Sequence, residues 1–344
     1  MGRRTEPQRV WFWSVFFFSS LFAGGCVFGG ISEVEEVEET STPDSSWTDA
    51  IANELSGNFE KVRPVEIVDK RRWAELKNRG DYIVNAAAAC GACHVRQDNG
   101  ERTGVAGLEK SLAGGRRIED RFGEVTVPNI TPDMATGLGA WNVAEIKRAI
   151  RASIDNRGQP LSIDAHRGYR WMSDEDATAI AVYLSALAPV RNEIARRSLG
   201  TLERRKFGVI SQHRDIQGYV PQVAPRRDAY YGRYLAHNLS RCYLCHTGSK
   251  SLFSSSEDFA GSSDDLNYNI VSHLDLKFPE STPDIRGTLE TGLKAWSKAD
   301  IAKYLSTGAS PKGKQSDPRL CPWDYFKDMS ADDKEAIAAY LKTL

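Results

Sequence analysis

Methionine is scarce in this chain. Four occur in 344 residues, one of them Met1, so a thioether metal ligand has at most three places to come from. Charge of one sign is lacking as well. Forty-five basic side chains against 46 acidic ones leave a formal net charge of −1, which gives no grip on nucleic acid or another polyanion. No paired carboxylates, activated nucleophile or glycine-rich phosphate loop stands out. What remains is ordinary for a globular protein with a core, 41% hydrophobic and 26% charged, at a length that suits two domains.

The N-terminus reads as an export signal. "MGRRTEPQRV" carries three arginines, and 22 uncharged residues follow, Val10 to Ile31. That run is long enough to cross a bilayer as an uncleaved anchor. Alternatively "AGGC" is a lipoprotein-type cleavage site, with lipid on Cys26. Small residues before Cys26 and the acidic "SEVEEVEETSTPDSS" after it favour lipid; Ala23 disfavours it, standing where such sites carry leucine. Either way the rest of the chain is expected outside the cytoplasm, tethered to a membrane. Residues 1–31 are then signal or anchor, and 32–64 a flexible acidic linker.

The six cysteines carry the chemistry. Cys90-Gly91-Ala92-Cys93-His94 and Cys242-Tyr243-Leu244-Cys245-His246 are both C-x-x-C-H. Two thiols one helical turn apart can add to the two vinyl groups of a haem, and the adjacent histidine then coordinates the iron. Zinc would need four ligands in one place, and each cluster supplies three. A thioredoxin-like pair would want a βαβ setting, which neither flank offers. Two covalently bound haems are therefore expected, on Cys90, Cys93, Cys242 and Cys245, with His94 and His246 as iron ligands.

Aligning the motifs exposes an internal duplication. "RGDYIVNAAAACGACH" (Arg79 to His94) matches "YGRYLAHNLSRCYLCH" (Tyr231 to His246). "TPDMATGLGAW" (Thr131 to Trp141) matches "TPDIRGTLETGLKAW" (Thr282 to Trp296), the second copy four residues longer. "MSDEDATAIAVYLSAL" (Met172 to Leu187) matches "MSADDKEAIAAYLKTL" (Met329 to Leu344) with nine identities in sixteen. This last pair is helical: Ile180, Leu184 and Leu187 form one stripe, as do Ile337, Leu341 and Leu344, with Ser173 and Ser330 as N-caps. The expected organisation is two all-helical units, 65–189 and 226–344, joined by a basic linker, 190–225, that wraps one of them.

These residues resemble the multihaem cytochrome c subunits of bacterial membrane-bound alcohol and sugar-acid (gluconate) dehydrogenases, and class I cytochromes c more broadly. The resemblance rests on "RGDYIVN…CGACH", "LAGGR" (Leu112 to Arg116), "VPNITPDMATGLGAW" (Val127 to Trp141) and "MSDEDATAIAVYLSAL". It covers about two-thirds of the chain. It implies an all-α fold of two tandem class I cytochrome c domains. Those subunits usually carry three such domains, where two are read here.

The resemblance also implies a distal methionine eight residues before the methionine that opens the last helix of each domain. Neither is present. Counting back from Met329 gives Cys321, followed by Pro322 and Trp323; counting back from Met172 gives Asp164, with His166 two residues on. A Cys321 thiolate would favour ferric iron and lower the potential of the second haem, and the metal would depress its pKa. A buried free cysteine is the alternative, with His273 competing as ligand; pairing with Cys26 is a remote third. For the first haem the expectation is His94 and His166 together, against a water-occupied or open sixth position. Met134, Met172 and Met329 are read as loop and core, His213 as a linker residue, and His237 as lying beside the second haem.

Electron transfer is thus the leading expectation, with redox proteins and the membrane as partners and no nucleic acid. The chain is read as an electron carrier or electron-transfer subunit rather than a stand-alone enzyme. The competing reading is a haem enzyme acting on a peroxide or sulfur compound at an open or cysteine-ligated iron. A gas sensor comes last, because no output domain is present.

Overall fold

A computed structural model describes residues 70–95, 97–98, 101–102, 111–120, 123–161, 163–197, 200, 219–247, 257–261, 282–318 and 320–344. Contacts divide the chain into Met1–Ile51 and one compact unit, Ala52–Leu344, to which every described residue belongs. The segments expected to serve as export signal (1–31) and acidic linker (32–64), with Cys26, His213 and His273, lie outside the described residues. No described helix is long and apolar enough to cross a membrane.

The architecture is helix-rich. Helix α1 (Lys70–Tyr82) runs into a π-helical turn, Ile83–Ala87, and then the short α2 (Gly91–His94). Helix α3 (Val143–Ala152) follows, then α4 (Ile163–His166), a 3-10 turn at Tyr169–Trp171, and α5 (Asp174–Ser185). The order then repeats: α6 (Ala229–Tyr234), a π-helical turn Leu235–Leu239, α7 (Cys242–Cys245), α8 (Lys298–Thr307), α9 (Trp323–Phe326) and α10 (Ala331–Leu341). Among the described residues, four short strands depart from the all-helical expectation. They form two antiparallel hairpins, β1 (Gln97–Asp98) with β2 (Glu101–Arg102) and β3 (Arg117–Asp120) with β4 (Gly123–Thr126). A long loop must pair its own backbone groups, and a hairpin does so locally.

Local sequence explains the main helix starts. Asn142 and Ser297 accept from the amides of Glu145 and Asp300, whose side chains reach back to the cap amides, closing a capping box at α3 and α8. Ser173 and Ser330 cap α5 and α10 as expected. Ile180, Leu184, Ile337 and Leu341 are buried, and so are Met172 and Met329, which serve as core.

Two glycines set the closest helix approaches. At Gly80 a Cβ would overlap the Ala179 backbone of α5, and at Gly232 it would overlap the Ala336 backbone of α10. Only a residue without a side chain lets α1 and α6 come this close. One apolar core runs through both halves, from Ile83, Leu112 and Met172 to Tyr231, Leu235, Phe259 and Ile337.

The structure corrects one alignment. Ile130 donates to Leu112 O (2.9 Å) and Ile285 to Phe259 O (2.9 Å); Leu138 donates to Thr131 O (2.8 Å) and Leu293 to Arg286 O (2.8 Å). Val127–Trp141 therefore matches Thr282–Trp296 without a gap, and Pro128, not Pro132, corresponds to Pro283. The repeated "TPD" letters misled because hydrogen-bond register, not identity, sets the loop path.

The linker clasps the first half. Val190 O accepts from Asn129 Nδ2 (2.7 Å), Asn192 Nδ2 donates to Ala113 O (2.9 Å), and Arg196 meets buried Asp155 at 3.0 Å. Farther along, Val220 exchanges two hydrogen bonds with Asp174, at 3.0 and 2.6 Å.

Candidate haem-binding sites

Each C-x-x-C-H motif forms a single helical turn. His94 N donates to Cys90 O at 2.9 Å, and His246 N donates to Cys242 O at 3.1 Å. The residue ahead of each motif is held in the left-handed region, Ala89 at φ 49° and Arg241 at φ 51°. That conformation costs of order 1 kcal/mol or more for a residue with a side chain, so the surrounding packing imposes it twice. All four thiols are free, the state thioether formation to a haem requires. Burial pushes Cys90 and Cys242 up to about 12 and raises Cys245 too.

The two histidines are oriented alike. His94 Nδ1 lies 2.9 Å from Pro128 O, and His246 Nδ1 lies 2.8 Å from Pro283 O. Each carbonyl fixes the tautomer, with the proton on Nδ1 and a lone pair on Nε2 for a metal. Desolvation lowers His94 to about 4 and lowers His246 as well. Both rings are therefore neutral near neutrality, the form that binds iron. These residues fit a covalent haem on each motif.

Across the first site stands His166. Its ring centre is 6.4 Å from that of His94, with the ring planes 24° apart. Its Nδ1 lies 3.0 Å from Ala149 O, a backbone carbonyl, as His94 Nδ1 lies against Pro128 O. Tyr169 stands beside His166, with 6.0 Å between ring centres. Of Asp164 only the backbone is described.

The second site holds Cys321 close by. Cys321 and Cys242 pack against the same apolar core, and Tyr304 eases the thiol ionisation that burial opposes. Burial pushes the thiol up to about 12. A thiol in such surroundings ionises only if a cation compensates it, and an iron ion would be one. The loop around Cys321 is firmly held: Trp323 Nε1 donates to Ser316 O at 2.8 Å, and Tyr304 meets Ser316 Oγ at 2.7 Å. His237 lies in an aromatic group. Its Nε2 is 2.8 Å from the Tyr340 hydroxyl, and its ring meets Tyr243 and Phe259 at 5.4 and 5.0 Å.

Sequence reasoning missed Pro128, Tyr304 and Arg241. Pro128 was hidden by the misaligned "TPD". Tyr304 and Arg241 act through tertiary contacts that no spacing announces. Among the described residues, no group of three or more His, Cys, Asp or Glu side chains forms a separate metal site.

A chain with paired C-x-x-C-H turns, each histidine set on a proline carbonyl, has the makings of a c-type cytochrome. Comparison with known proteins agrees. The chain is 28% identical over 298 residues to the "diheme cytochrome c-type" of Cereibacter sphaeroides, covering 82% of this chain and 90% of that one. It is 25% identical over 297 residues to the fructose dehydrogenase cytochrome subunit of Gluconobacter japonicus, covering 84% and 57%. It is 30% identical over 295 residues to a nicotinate dehydrogenase subunit of Pseudomonas putida, covering 83% of this chain but 23% of that protein. The chain thus spans just over half of the fructose dehydrogenase subunit and about a quarter of the nicotinate dehydrogenase one. Similarity to cytochrome c subunits of gluconate and alcohol dehydrogenases extends over about four-fifths of the chain. No family model matches.

Proposed function

We propose that the chain is a dihaem c-type cytochrome of two tandem class I domains, 65–189 and 226–344, which relays single electrons outside the cytoplasm. Its donor would be a dehydrogenase or quinol-oxidising complex, and it would be held at the membrane by residues 1–31 or by lipid on Cys26. Bound haem supplies a one-electron iron couple. Cys90, Cys93, Cys242 and Cys245 would tether the groups and His94 and His246 would ligate the irons, with His166 the further ligand at the first site and Cys321 at the second.

The observation that carries this reading is the pair His94 and His166, set 6.4 Å apart with both Nδ1 atoms occupied by backbone carbonyls. A filled sixth position suits a relay, which has no need to bind a substrate at iron. The matching order of helices in the two halves supports the tandem arrangement. The names of the similar dehydrogenase subunits support the class of partner.

Haem content and spin state test it together. Two covalent haems per chain are expected by pyridine haemochrome assay. Two low-spin EPR signals are expected, one of them thiolate-like and lost in Cys321→Ala, and the reduced protein should not take up carbon monoxide. High-spin iron with ready carbon monoxide binding would make the protein an enzyme or a sensor instead.

A further inference from the structure

Arg241 immediately precedes Cys242, yet its side chain reaches into the first half of the molecule. The guanidinium Cζ lies 4.0 Å from the centre of the Tyr169 ring. Nη1 donates to the carbonyl of Ala165, the residue before His166. Nε is buried and has no hydrogen-bond partner among the described residues. Gly168 makes the crossing possible, because a Cβ there would come within 3.0 Å of Arg241 Cγ and 2.8 Å of His237 O. Asn238, in the turn just before Arg241, adds a second strap by donating to Gly168 O at 3.0 Å.

No carboxylate neutralises this cation among the described residues. Its partners are a carbonyl and an aromatic face. The Arg241 backbone adjoins Cys242 of the second motif, while its guanidinium lies against Tyr169 and the Ala165 carbonyl, on the segment that carries His166 of the first. The duplication offers no counterpart, since the aligned position is Ala89, in the same left-handed conformation. The chain maintains one strained backbone site twice and places a cation at only one of them.

Reduction of a haem iron removes one unit of positive charge, so a fixed cation in a poorly solvated place favours the reduced form. We propose that Arg241 is a positioning residue shared by the two haem sites, whose cation raises the reduction potential of both and that of the first site more. The inference rests on the dihaem reading above. Through the Ala165 carbonyl and the Tyr169 ring, Arg241 also holds the segment that carries His166.

The test is a spectroelectrochemical titration of the haem-loaded full chain, wild type against Arg241→Met and Arg241→Lys, after haem content has been counted. Arg241→Met should lower both midpoint potentials, the first site's more, with the low-spin spectrum unchanged. Arg241→Lys should recover most of the shift. If Arg241→Met does not accumulate, Arg241→Gln serves as the neutral variant, with its amide still able to donate to Ala165 O. Two haems with unmoved potentials in the neutral variant would overturn the inference alone. A fall in Arg241→Lys as large as in Arg241→Met would overturn the role of the charge. Fewer than two covalent haems in the wild type would overturn the dihaem reading, and this inference with it.

Discussion

Tyr82 donates its hydroxyl to Asp333, 251 positions along the chain, at 2.6 Å, and accepts from the Ser330 amide at 3.1 Å. The aligned residues make the same bonds in the other direction. Tyr234 donates to Asp176 at 2.7 Å and accepts from the Ser173 amide at 3.1 Å. Each half thus caps the last helix of the other. The two clamps differ in one partner, because Asp176 also receives Arg79 through two bonds of 2.8 and 3.0 Å.

That difference makes a prediction. Asp333 is buried, with the Tyr82 hydroxyl as its side-chain donor, whereas Asp176 keeps Arg79 if its tyrosine is lost. A hydrogen bond to a charged group is worth about 1.5–3 kcal/mol. Tyr82→Phe should therefore destabilise toward the upper end of that range and Tyr234→Phe toward the lower, measured as urea midpoints of the haem-loaded protein. Equal losses would show that Arg79 contributes nothing to the clamp.

Gly80 and Gly232 permit close helix contacts that a methyl group would block. Gly80→Ala and Gly232→Ala should each cost about 1–3 kcal/mol through overpacking. Both should lower the thermal midpoint by several degrees, although alanine is the better helix former. A rise in midpoint for either would mean that the helices separate without penalty.

His166 can be tested apart from the second site. His166→Ala should convert one of two low-spin haems to a form that binds about one equivalent of carbon monoxide on reduction. The other should be unchanged. Retention of both low-spin signals would remove His166 as the distal ligand.

Acid sensitivity should pass partly through Asp174. Burial alone would raise its carboxyl, but the Val220 amide, Lys147 and Arg151 hold it below the ordinary carboxylate range. Its contacts are 2.6, 3.1 and 3.1 Å. A depressed folded pKa means that the unfolded chain binds the proton first, so the contribution is complete above the unfolded carboxylate's range and is lost as pH falls through the folded pKa. The stability gap between wild type and Asp174→Asn should be constant near neutrality and close on acidification. A gap that persists in acid would assign the effect to packing of the linker.

Much of this was legible before any fold was known. The two C-x-x-C-H motifs, the helix caps Ser173 and Ser330 and the apolar stripe Ile337, Leu341 and Leu344 are local patterns, and local patterns survive in a string of letters. His166 was reached by counting from a resemblance, and the geometry across from His94 is what turns the count into an argument. The four-residue insertion was misread because "TPD" occurs in both halves at positions that hydrogen bonding does not make equivalent. The hairpins between 97 and 126 passed unseen, since short ribbons leave little periodic trace.

By itself the sequence determined the attachment chemistry: thiols one turn apart beside a histidine, given twice. Tertiary structure decided the rest, because it depends on pairs distant along the chain. Pro128 meets His94, Tyr82 meets Asp333, and Arg241 leaves its own motif to lie over Tyr169. Covalent and helical geometry acts over a few residues and can be read from spacing. Electrostatic and packing contacts depend on distance in space, and only the folded chain sets that.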